Sequence, residues 1–69
     1  MNITPTKLTI DNAEQYVGKK LYGKFFHYWP VTVKRLNGVW YCVDACDVMV
    51  AVPPATEKFN TIWFDRVEE

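Results

Sequence analysis

The sequence predicts a mainly β domain: one short N-terminal helix, then five short strands forming a small SH3-like or OB-like antiparallel barrel or a strongly curved sheet. Three observations predict it. The hydrophobic period changes once, at Gly18, from helical spacing to alternation. Beyond Gly18, short runs rich in Val, Ile and aromatic residues are separated by Gly, Pro, Asn and Asp. A chain of 69 residues holds one small domain, 1–69, with a thin core.

Residues 1–8 read as a loose lead-in, with Pro5 opposing regular structure. Residues 9–18 read as the helix. Thr9 is the expected N-cap and Asp11 the alternative, since Glu14 stands three residues later in a capping-box position. Ile10, Ala13, Tyr16 and Val17 make one apolar stripe, and Gly18 suits a left-handed stop. The five-stranded core is expected over 20–67. Its first strand runs from Lys20 to Tyr28, bent at Gly23 and ended by Trp29-Pro30. Val31–Arg35 and Val39–Asp44 form a hairpin, Val48–Val52 a strand stopped by Pro53-Pro54, and Thr61–Val67 the last strand.

The hairpin admits two registers. A two-residue turn centred on Asn37-Gly38 pairs Arg35 with Trp40 and mixes apolar and charged residues on both faces. A three-residue loop, Leu36-Asn37-Gly38, places Val31, Val33, Val39, Tyr41 and Val43 on one face, with Trp40 opposite Lys34 on the other. The second alternates more cleanly and is preferred, because a one-residue slip moves every side chain to the other face. It turns Trp40 away from the valines.

Eleven aromatic residues (three Trp, four Tyr, four Phe) exclude a disordered chain. Eight basic residues balance eight acidic ones, so no global attraction to nucleic acid or anionic membrane is implied. The charge is unevenly spread: residues 1–40 carry +4 and residues 41–69 carry −4. No apolar run approaches the ~20 residues of a membrane helix, and residues 1–18 do not resemble a signal peptide. A cytoplasmic location with reduced Cys42 and Cys46 is therefore expected.

His27, Cys42 and Asp44 have the residue types of a nucleophilic site, but nothing in the sequence brings His27 to the other two. Cys42 and Cys46, with His27 and Asp44 or Asp47, supply one cysteine pair where structural zinc ordinarily has two Cys/His pairs. No phosphate-binding loop or catalytic carboxylate pair is present, so no enzyme, metal or other cofactor is expected. The remaining signal is aromatic. The segment Phe25-Phe26-His27-Tyr28-Trp29 and the hairpin pair of Trp40 with Lys34 and Arg35 suit a binding surface. The candidate residues are Trp40, Lys34, Arg35, Trp29 and His27. The expected function is a protein-interaction module, self-association included. Stacking of single-stranded nucleic acid on aromatic and Lys/Arg side chains is the alternative. The small size and absence of motifs suit an adaptor or inhibitor encoded by a phage or mobile element.

Overall fold

In the computed structural model, which describes residues 1–69, six strands form two three-stranded antiparallel sheets. The first sheet has the order β1–β6–β2, with β1 at Asn2–Leu8, β2 at Lys20–Tyr22 and β6 at Ile62–Glu68. The second has the order β3–β4–β5, with β3 at Thr32–Leu36, β4 at Val39–Val43 and β5 at Met49–Ala51. A single bridge links the sheets: Leu21 N–H donates to the Val31 carbonyl at 2.8 Å and Val31 N–H donates to the Leu21 carbonyl at 3.0 Å. Leu8, Leu21, Val31, Val33, Cys42, Val52, Ile62 and Phe64 bury one shared core, and Tyr16 packs edge-on against Phe64 at 4.8 Å.

The mainly β expectation holds, but the sheets do not close into a barrel. Residues 1–8 are not a loose lead-in. They form edge strand β1, whose pairing with β6 is interrupted between Asn2 and Thr6. Pro5 falls in that interruption, where a missing N–H costs the ladder nothing. The helix expected over 9–18 is absent as an α-helix; only a 3₁₀ turn, Ala13–Tyr16, forms. Local side-chain bonds compete for its backbone. Asn12 accepts the Thr9 N–H at 2.9 Å and donates to the Lys7 carbonyl at 2.9 Å, while Thr9 Oγ1 accepts the Asp11 N–H. Ala13 and Tyr16 face the core, whereas Ile10 and Val17 are exposed. Gly18 does take the expected left-handed conformation, at φ 84°.

The strand expected from Lys20 to Tyr28 ends at Tyr22. Gly23 lies against β6 so closely that an added Cβ would stand 2.1 Å from the Trp63 carbonyl oxygen. The chain turns there into a second 3₁₀ turn, Lys24–Phe26. The hairpin register also departs from the preferred one. Leu36 pairs with Val39 and Arg35 with Trp40, and Asn37 (φ 52°) and Gly38 (φ 78°) are both left-handed. This is the two-residue type I′ turn, whose twist matches that of the flanking strands. Val33, Cys42 and Trp40 therefore share the inward face, and Lys34, Leu36, Val39, Tyr41 and Val43 lie on the outer one.

Candidate functional site

The segment Gly23–Trp29 is a compact, self-bonded loop. The Gly23 carbonyl accepts from Phe26 N–H at 3.2 Å and from Tyr28 N–H at 2.9 Å. His27 N–H donates to Lys24 O at 3.1 Å and Trp29 N–H to Phe26 O at 3.0 Å. Closing this loop requires positive φ at two consecutive non-glycine residues, His27 (53°) and Tyr28 (60°). Such positions cost of order 1–3 kcal/mol each and persist where their surroundings over-determine them. Here the Tyr28 hydroxyl donates to Asp65 Oδ2 at 3.1 Å, which anchors the loop to β6 and raises the Tyr28 pKa. The result is that Phe25, Tyr28 and Trp29 stand in solvent, Trp29 at 65% exposure.

Facing this loop is the turn between β4 and β5. Asp44 Oδ1 accepts the N–H groups of Cys46 at 2.8 Å and Val48 at 3.0 Å, and the Asp44 carbonyl accepts Asp47 N–H at 3.1 Å. Asp47 completes the turn in the left-handed region, at φ 61°. Between the loop and the turn lies an open cleft of about 350 Å³, lined by Phe25, Phe26, His27, Trp29, Asp44 and Cys46, with Ala45. Phe25 and Phe26 meet edge to face at 4.7 Å. Both walls are held by hydrogen bonds, so a ligand would meet a largely pre-ordered surface. Asp44 Oδ2 carries no hydrogen bond or ion pair within the chain.

Of the residues singled out in the sequence, Trp29 and His27 meet in this cleft. Trp40 and Arg35 lie elsewhere. The Arg35 guanidinium sits 5.4 Å from the centre of the Trp40 ring, Trp40 also packs against the core, and the two line a separate shallow groove with Ile10 and Val52. Lys34 is on the outer face of the β3–β4–β5 sheet, beside Tyr41. The Trp40–Lys34 pairing of the preferred register is thus replaced by Trp40–Arg35, and the five residues form no single surface. Cys42 is fully buried, and burial pushes its thiol up to about 12, so it provides no thiolate nucleophile. His27, Asp44 and Cys46 share the cleft, but no three His, Cys, Asp or Glu residues gather as a metal site would require. No helix is long and apolar enough to cross a membrane.

One feature was not singled out at all. Phe59, in the loop between β5 and β6, is 90% exposed. Its loop is tied to β1 and bonded within itself. Glu57 Oε1 accepts the N–H groups of Phe59 and Asn60, each at 3.1 Å, and these bonds hold the Glu57 carboxyl below its ordinary pKa. Lys7 Nζ donates to the carbonyls of Ala55 at 3.0 Å and Glu57 at 2.9 Å. The available signal was a lone Phe inside a polar loop, Pro54–Asn60. No family model matches this chain, and no curated protein or solved structure matches it either.

Proposed function

We propose that this chain is a non-enzymatic interaction module that docks a protein segment in the cleft between the Gly23–Trp29 loop and the Asp44–Val48 turn. The observation that carries the reading is the left-handed pair His27-Tyr28, a strained loop that holds Phe25 and Trp29 in solvent around a concave surface. Exposed aromatics around a pre-ordered cleft are the ordinary anchors of protein interfaces. The free Asp44 oxygen selects the neighbour of that anchor, favouring a segment that sets Lys or Arg beside a large apolar side chain. Two unbridged cysteines, one of them exposed, suit a reducing compartment such as the cytoplasm. Single-stranded nucleic acid is the poorer reading: an acidic residue lines the cleft, and Lys34 and Arg35 fall on opposite faces of their strand.

Selection from a displayed peptide library on the full chain tests the proposal. The expected result is a consensus of one aromatic or large aliphatic residue next to Lys or Arg. Trp29→Ala should weaken those peptides by roughly thirtyfold or more, as loss of a central aromatic anchor does. Peptides that bind Trp29→Ala as well as wild type would overturn it. So would tight, salt-dependent binding of single-stranded oligonucleotides that Trp29→Ala abolishes.

A further inference from the structure

Phe59 has no role in folding: at 90% exposure it contributes almost nothing to the core. Yet its loop is tied down by four hydrogen bonds, two into the Glu57 carboxylate and two from Lys7. A large ring presented by an ordered loop loses little conformational entropy when it is covered, the property of an interface anchor. The residue before it, Lys58, makes no ion pair and no side-chain hydrogen bond. The tip is therefore an apolar ring with an adjacent unpaired cation. The cleft is an aromatic socket with an adjacent unpaired carboxylate oxygen, on Asp44. The chain carries both halves of one complementary pair.

We propose that the cleft is occupied by a second copy of this chain, with Phe59 seated between Phe25, Phe26 and Trp29 and Lys58 beside Asp44. The proposal rests on the cleft being a docking site. Tip and socket are different surfaces, so the contact is heterologous: it propagates as a ring or an open chain unless two copies exchange tips. It also accounts for the sign of the free charges, since Lys58 faces an acid across the contact while like charges would oppose it.

Sedimentation equilibrium on the full chain tests this. Wild-type mass should rise with concentration. Phe59→Ala and Trp29→Ala should each remain monomeric, with association weakened roughly thirtyfold or more. Both side chains are largely exposed, so both variants should keep the wild-type fold by circular dichroism. An equimolar mixture of the two is decisive, because Phe59→Ala retains a socket and Trp29→Ala retains a tip. It should form a dimer and nothing larger. Lys58→Glu should weaken wild-type association, and added salt should weaken it too. The proposal is overturned if Phe59→Ala associates as wild type does, if the two variants fail to pair while wild type associates, or if wild type stays monomeric near millimolar concentration. In that last case, library peptides that still need Trp29 would leave the docking cleft standing with a different occupant. If neither peptides nor a second copy engage the cleft, both readings fall.

Discussion

Gly23 decides where the cleft lies. Its backbone is extended, so conformational freedom is not the reason for glycine here; proximity is. A Cβ would come within 2.1 Å of the Trp63 carbonyl oxygen and 2.9 Å of the Phe64 Cα, and both are backbone atoms that move only with β6. Gly23→Ala must therefore push the loop off the sheet. We expect it to cost about 3 kcal/mol, the upper end of the usual overpacking range, which denaturant melts would measure. It should also displace Phe26 and Trp29 and so abolish docking. Gly38 is the contrast: it is left-handed, but a Cβ there meets nothing within 4 Å. Gly38→Ala should cost about 1 kcal/mol, the conformational penalty alone. At this scale the sequence was only partly legible. Gly23 was visible as a bend, and the residues after it as the most aromatic stretch of the chain. The left-handed turn at His27 and Tyr28 was not, because neither residue is a glycine and the conformation is imposed by the Gly23 carbonyl and Asp65.

At the scale of elements, four strands were legible, while β1 and the end of β2 were not. β3, β4, β5 and β6 each fall within one residue of where alternation places them. β1 offers only Ile3 and Leu8 as large apolar residues, five apart with Pro5 and a break in pairing between them, so no strand period is written into it. The hairpin register was misread for a related reason. Choosing the cleaner alternation assumes that one sheet face is polar, yet the outer face here carries Leu36, Val39, Tyr41, Val43 and Met49. With apolar residues on both faces, the turn decides the register, and Asn37-Gly38 favours the type I′ form. The observed register makes a direct prediction. Trp40 packs against the core and under Arg35, so Trp40→Ala should destabilise the fold by about 2 kcal/mol, somewhat less than a fully buried Trp would lose. Tyr41 lies on the outer face, and Tyr41→Ala should cost less than about 1 kcal/mol. Paired denaturant melts check this. The opposite order would restore the three-residue loop.

For the whole molecule, the governing fact is how little is buried. Eleven of 69 residues are buried, and the accessible surface is 4839 Å², against about 4,500 Å² for a typical folded chain of this mass. A core of this size supplies only ~3–5 kcal/mol of stability. Anything that binds the native state alone then adds a visible fraction of the total. If copies of the chain dock tip to socket, each tenfold rise in concentration above the dissociation constant contributes up to about 1.4 kcal/mol per contact. In a domain this small, 1 kcal/mol moves Tm by about 4–8 °C. Wild-type Tm should therefore climb by several degrees per decade of protein concentration. That of Phe59→Ala should stay flat, at the value wild type reaches when dilute, because removing an exposed ring leaves the isolated fold intact. Scanning calorimetry over a hundredfold concentration range separates the outcomes. Parallel rises in both proteins would mean that a different surface associates, the apolar outer face of the β3–β4–β5 sheet being the first to test by Val39→Lys. Two flat profiles would mean that the thin core stands alone and that Phe59 does not seat in the cleft of a second copy.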